Sequence, residues 1–316
     1  MRVALAGDTM LGRMVGEALA EAPPQSLVAP EVVELAREAD LVVLNLECCI
    51  SARGSPWPDP RKPFFFRAPP AAVELLLHLG VDCVTLANNH ALDFGEDALL
   101  DTLAHLRAAG IQLVGAGVDI EEARKPAVLE ARGGRLAVLG VSDHPRDFAA
   151  GPARPGIAFA DLRDGLPAWL AEAVEALRPN PVLVTPHWGP NMTPTPRPHV
   201  RAAGQELLAA GATLVAGHSA HVFHGVAPGI LFDLGDFLDD YAVDRTLRND
   251  LGLFFLAELD ERGPVRVEAV PLKLEYCFTR LAEGEDAAWI RSRFAAACAE
   301  LGTAVEEDGG RLVVSF

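Results

Sequence analysis

The sequence predicts an α/β fold, a layered sandwich of two mixed sheets flanked by helices. Three observations carry that prediction. Short apolar runs alternate with helix-like segments over the first two-thirds of the 316 residues. Four of those runs end in polar residues: Gly7-Asp8, Asn88-Asn89-His90, Pro186-His187 and Gly217-His218-Ser219-Ala220-His221. The last third changes style, to apolar runs joined by short turns, which reads as antiparallel.

Val3 to Ala6 is the first strand, and Gly12 to Ala20 a helix ended by Pro23-Pro24. Pro30 to Glu38 is a second helix, with proline suited to its first turn. Leu41 to Glu47 is a buried strand. Residues 51–67, rich in proline and aromatics, are irregular and suit a lid or rim. Pro70 to Leu79 is helical and stops at Gly80. Val81 to Ala87 is a strand that runs into the Asn88-Asn89-His90 loop, and Gly95 to Ala109 is an amphipathic helix closed by Gly110. Ile111 to Val114 and Arg135 to Val141 are strands, the latter paired with Ala127 to Glu130 through a Gly133-Gly134 hairpin. Helices at Asp164 to Leu177 and His199 to Ala210 alternate with strands at Pro181 to Thr185 and Ala212 to Ala216. Beyond them lie strands at Gly229 to Leu234, Leu251 to Leu259, Val265 to Leu274 and Arg311 to Phe316, and a helix near Asp286 to Leu301. Residues 1–245 are expected to form the core, and 246–316 to complete the second sheet of the same domain.

A hydrophobic content of 50% supplies a full core. The formal charge of −17, with lysine only at positions 62, 125 and 273, excludes a basic nucleic-acid-binding face and disfavours an anionic bilayer. Bound divalent cations would offset that charge locally, so a phosphorylated or polyanionic substrate stays compatible with it. Five cysteines, an odd number with apolar neighbours, read as reduced thiols. The first apolar run is too short for a signal peptide, and no run approaches the roughly 20 residues of a transmembrane helix. The expected location is the cytoplasm, without stable membrane insertion. The sequence leaves the oligomeric state open.

The chemistry sits at the strand ends. Two divalent ions about 3.5–4 Å apart need a bridging carboxylate with oxygen and imidazole ligands. Asp8 and Glu47 can supply carboxylates, Asn89 an amide oxygen, and His187, His218 and His221 imidazoles. His90 then lies beside the pair, suited to protonate a leaving oxygen. Asn45, Asn88 and Asp236 are candidate substrate-binding groups, as are Arg13 and Arg67, which equally suit ordinary ion pairs. Taken singly, Asp8 also reads as a helix cap and Asn88-Asn89 as a turn. His78, His105, His144, His199 and His224 read as surface or loop residues. The mixed nitrogen and oxygen set suits Mn, Fe, Co, Ni or Zn more than Ca or Mg.

Several segments in order resemble the CapA-type poly-γ-glutamate capsule-biosynthesis family. They are Gly7-Asp8-Thr9-Met10-Leu11-Gly12-Arg13, Asn45-Leu46-Glu47, Phe66-Arg67-Ala68-Pro69-Pro70, and Leu86 through Gly95. His187-Trp188-Gly189, Gly217 through Val222 and Leu234-Gly235-Asp236-Phe237 continue the match to about Tyr241. The family is similar to calcineurin-like metallophosphoesterases. That likeness implies a four-layer α/β/β/α sandwich with a two-metal site at one edge. It implies Asp8 as first ligand, Glu47 as bridge, Asn89 and His187 as further ligands, His218 and His221 as the terminal pair, and His90 as the catalytic histidine. Three positions depart from the superfamily pattern: Met10 stands where a histidine is usual, Glu47 replaces an aspartate, and the terminal pair is H-x-x-H. The first metal site is therefore one ligand short and is expected to fill only in part. The activity implied is a metal-dependent phosphomonoesterase or phosphodiesterase using a metal-activated hydroxide. The alternatives are a non-hydrolytic accessory of poly-γ-glutamate biosynthesis or export, and a metal-dependent γ-glutamyl amide hydrolase.

Overall fold

The computed structural model describes residues 1–260 and 263–316 and has a mixed α/β architecture. Among the described residues, one sheet of ten strands is centred on Arg2–Thr9. This strand pairs in parallel with Leu41–Leu46, which continues in parallel through Cys83–Thr85 to Gln112–Val114. Its other edge pairs antiparallel with Leu251–Asp260, followed by Gly263–Glu275 and Arg311–Ser315. A second sheet of six strands is built on Gly134–Ser142, Val182–His187 and Leu214–Ala216, all parallel, and the expected hairpin joins Ala127–Ala131 to its edge.

The period of two in the strands sorts side chains between cores. Val3 and Leu5 pack with Val43, Val138, Leu183 and Leu214, so the two sheets share that core. Ala4 and Ala6 point the other way, into a core with Val15, Val32, Leu75 and Leu103 from helices Arg13–Glu21, Pro30–Ala36, Ala72–His78 and Gly95–Ala108. Leu139, Val184 and Val215 of the second sheet pack with Leu170, Val174, Val200 and Leu207 of helices Ala168–Ala176 and Pro198–Ala210.

The C-terminal strands join the first sheet, not the second as their sequence position led us to expect. The reason lies in their two apolar faces. Leu251, Leu253, Phe255 and Ala257 enter the core shared by the sheets, while Phe254 and Leu256 enter the core under the first helices. A strand buried on both faces pairs with a central neighbour, and the antiparallel edge of Arg2–Thr9 provides it. Residues 51–66 contain no helix or longer strand, as their composition predicts. No helix among the described residues is long and apolar enough to cross a membrane.

Candidate metal centre

The candidate ligands lie at or near strand ends, and local backbone features aim them. The register between Arg2–Thr9 and Leu41–Leu46 slips between Ala6 and Asp8. Such a bulge re-aims the side chain beside it, here Asp8. On the other side the short strand Asp236–Leu238 runs parallel, with Asp236 opposite Asp8. Gly7 permits this approach, because a Cβ there would lie 1.9 Å from the Gly235 carbonyl oxygen. Glu47 directly follows Leu41–Leu46, and its amide donates to the Thr9 carbonyl at 3.0 Å. His187 ends Val182–His187, and the His218 amide donates to the Pro186 carbonyl at 2.9 Å. Gly217 lets the histidine loop turn close to the sheet: a Cβ would sit 2.2 Å from the Phe232 carbonyl oxygen and 2.4 Å from Trp188 Nε1. Ser219 and His221 hold positive φ, 111° and 58°, the sparsely populated backbone that clusters at functional sites. Asp233 braces this loop, accepting from the amides of Ala220 at 2.8 Å and Gly235 at 2.9 Å.

The side chains converge in two overlapping groups. Asp8, Glu47 and His187 offer ligand atoms within 4.8 Å of one another, and so do Asp8, His221 and Asp236. Asp8 is thus the carboxylate common to both, a place the sequence reading gave to Glu47. The groups are buried, yet their polar atoms are left over. Both oxygens of Glu47, both ring nitrogens of His187, Oδ1 of Asn89 and Oδ2 of Asp236 have no hydrogen-bond partner in the protein. Buried polar atoms are nearly always paired, so a cluster of orphans in one place is the signature of an absent ligand. The donor set, carboxylates with imidazoles and an amide oxygen, fits a divalent transition metal.

Asp236, which the sequence offers both as a substrate-binding group and as a residue that could complete the first metal site, groups with Asp8 and His221. Its Oδ1 lies 2.8 Å from His221 Nδ1, and its buried Oδ2 has no hydrogen-bond partner. Met10, where a histidine ligand is usual, is fully buried, and its sulfur accepts from the Gly12 amide. Asn45 and Asn88 are also fully buried and lie behind the ligands. Asn45 donates to Asp8 Oδ1 at 2.8 Å, and Asn88 donates to Asn45 Oδ1 and the Leu46 carbonyl, each at 2.9 Å. Asn88 Oδ1 accepts from the His90 amide at 3.0 Å. The pair braces the site. His218 Nδ1 lies 3.0 Å from Asp8 Oδ1.

His90 stands beside Glu47, with Nε2 3.8 Å from Oε1. Its Nδ1 lies 2.6 Å from Asp93 Oδ2, and its ring stacks on Phe66 with centroids 4.0 Å apart. Both arginines have partners of their own. Arg13 is committed to Asp240 and lies over the ring of Phe66. Arg67 donates to the Arg53 carbonyl at 3.0 Å and lies over Phe94.

The carboxylates and imidazoles of the cluster shift one another's protonation. Burial and then the Asp8 charge raise the Glu47 carboxyl well above its ordinary value. Burial also raises Asp236, only partly countered by His221. Asp8 differs: burial would raise it, but hydrogen bonds from His218 and His221 prevail and hold it well below the usual range. His221 rises because Asp236 and Glu47 outweigh the effect of its burial. Burial depresses His187, with His144 adding to the effect. Burial brings His90 down to about 4 despite Asp93. A neutral His187 and repelling carboxylates are the states that cation binding favours.

Residues that the sequence reading passed over also touch the site. Asp93 holds His90, and Lys62 holds Asp93 with Nζ 2.8 Å from Oδ1. The Tyr241 hydroxyl is buried without a partner, its ring 5.3 Å from that of His221.

The family described as "Bacterial capsule synthesis protein PGA_cap" matches residues 2–241. The chain is 33% identical over 276 residues to the "Probable polyglutamine synthesis accessory protein" of Mycobacterium tuberculosis, covering 80% of this chain and 71% of that one. It is 27% identical to the "PGA biosynthesis protein CapA" of Bacillus subtilis, covering 90% and 78%. A solved structure of a hypothetical protein from Thermus thermophilus shares the fold, with a TM-score of 0.50 at 17% identity over 86% of this chain and 99% of that one.

Proposed function

The chain belongs to the CapA-like family of bacterial capsule synthesis proteins, and from that premise we propose that it is a metal-dependent hydrolase with a dinuclear centre. The observation that carries this reading is the set of orphaned ligand atoms on Glu47, His187 and Asp236, residues that group around Asp8 from separate strands. Asp8, Glu47, Asn89, His187, His218 and His221 are the proposed ligands, and Asp236 takes the place that Met10 cannot fill. Two bound ions would supply Lewis acidity and lower the pKa of water. The substrate is a small phosphorylated or polyanionic molecule, and the bond cleaved is a phosphomonoester or phosphodiester.

The chain's own groups do the rest. Asp93 keeps the His90 proton on Nδ1 and leaves Nε2 facing the centre. A proton that His90 delivers to a leaving oxygen is therefore first taken up at Nε2. Asn45 and Asn88 fix Asp8 and the His90 backbone, so the ligands are held before anything binds. We read the two sheets and their helices as the four-layer sandwich of metallophosphoesterases. The alternation of Val3 and Leu5 against Ala4 and Ala6 supports that reading.

A second reading has its own support. The similar proteins of M. tuberculosis and B. subtilis are named for polyglutamine synthesis and PGA biosynthesis. On that reading the same centre binds a carboxylate-rich chain, as an accessory of its assembly or as a hydrolase of γ-glutamyl amide bonds. One experiment separates the readings. Protein purified without chelator is analysed for metal, then tested with Mn²⁺, Co²⁺, Ni²⁺ or Zn²⁺ on phosphomonoesters, phosphodiesters and γ-glutamyl amides. Metal-dependent turnover of a phosphoester supports the first reading. Bound metal with turnover of the amides alone, or of nothing, overturns it in favour of the second.

A further inference from the structure

The irregular segment 51–66 has no helix or strand of its own and is held by separate anchors along its length, among them Arg53 on Asp101 and Phe66 stacked on His90. One anchor is a lysine, in a chain whose 27 Lys and Arg include only three lysines. Lys62 Nζ donates to the Asn89 carbonyl at 2.8 Å and lies 2.8 Å from Asp93 Oδ1 as an ion pair, off the axis of a directed hydrogen bond. Its side chain is 14% exposed, and Asp93 is fully buried. Asp93 is where the segment meets His90. Its Oδ2 accepts from the Phe66 amide at 2.6 Å and lies 2.6 Å from His90 Nδ1. Its carbonyl accepts from the Trp57 amide at 2.8 Å. The Lys62 ammonium also lies 5.5 Å from the Phe148 ring centre and 5.9 Å from that of Phe65.

We propose that Lys62 is a positioning residue, which locks segment 51–66 onto Asp93 and the Asn89 carbonyl and so sets the placement of His90 and Asn89 together. A compact ammonium on a flexible stem can donate to the Asn89 carbonyl while setting its charge beside the Asp93 carboxylate, which a planar guanidinium matches less well. Docking of the segment and assembly of the centre are then one event. The segment is the cover over the Asp93–His90 pair, with Phe66 stacked on the imidazole.

The consequence for catalysis rests on the function proposed above, but the test needs neither metal nor substrate. In metal-free Lys62→Met protein labelled with ¹⁵N-histidine, the solvent exchange of the His90 Nδ1 proton is followed by NMR, with a His90→Gln variant for assignment. Thermolysin cleavage at Phe64 or Phe65 is followed in parallel. Both rates are expected to rise tenfold or more, while slowly exchanging core amides such as Leu5 and Val184 keep their protection. Either rate staying within threefold of the parent overturns the proposal. Should Lys62→Met lose its core protection, Lys62→Gln, which retains a donor for the Asn89 carbonyl but no charge, is judged by the same thresholds. Absence of any hydrolysis by the parent protein would overturn the proposed function and leave this result standing.

Discussion

Replacing Glu47 by glutamine should stabilise the metal-free protein and destabilise the metal-treated one. Glu47 is fully buried, and neither carboxylate oxygen has a partner. Burial, with repulsion from Asp8, raises its carboxyl well above the ordinary range. A carboxyl raised in this way binds its proton more tightly folded than unfolded. Its ionisation therefore subtracts stability as pH rises above the unfolded value of about 4.3. Leaving a buried polar group unpaired costs roughly 1–3 kcal/mol, and more if it is charged. An amide in its place is still polar but uncharged, so about 1–2 kcal/mol should return. At roughly 2 °C per kcal/mol for a chain of this size, the variant should melt about 2–4 °C higher at pH 8 in chelator. Metal at 1,000 times its Kd adds about 4.1 kcal/mol to the parent, and the variant should lose most of that gain. Scanning calorimetry with chelator and with Mn²⁺ or Zn²⁺ should therefore show the order of the two proteins reversing. A glutamine variant that melts lower in chelator, or that keeps the full metal-induced rise, would refute the reasoning.

The other predictions follow the same geometry. His90→Ala should lower turnover about 10²–10⁴-fold while metal content stays nearly intact, whereas His187→Ala should lose metal as well, as metal analysis of both variants will read. Gly7→Ala places a Cβ 1.9 Å from the Gly235 carbonyl oxygen, so urea titration should show about 3 kcal/mol or more of lost stability, and metal binding should weaken as Asp236 is pushed from Asp8. Calorimetric titration of apo-protein should resolve two affinities, the site of Asn89, His187 and Glu47 filling first; two equal, tight sites would contradict this.

Much of the centre was legible in the sequence because its residues stand directly after apolar runs. Asp8, Glu47, His187 and His218 are placed by strands that any reading of hydrophobicity finds. Asp236 was visible as a residue, but its role depends on a three-residue strand lying against Asp8 across 228 positions, and nothing local encodes that pairing. Asn45 and Asn88 were visible as polar residues among the strand-end segments, yet sequence spacing does not say whether such a side chain faces a cavity or hydrogen-bonds a neighbouring ligand, as Asn45 does Asp8. Lys62 escaped notice because its partners, Asn89 and Asp93, belong to another segment, and an irregular loop has no period to show which side chains turn inward. The C-terminal strands were recognised as strands, but apolar residues on both faces do not say which sheet offers the free edge.

Anomalous diffraction from crystals grown with Mn²⁺ or Zn²⁺ tests the central claim most directly. The account predicts one peak bonded to Glu47, Asn89, His187 and His218 and a second, of lower occupancy, bonded to His221 and Asp236, with Asp8 between them. Ligand distances should be about 2.0–2.2 Å. Peaks only on exposed side chains, or a first shell that includes His144 or His224 in place of Asp236, would contradict it.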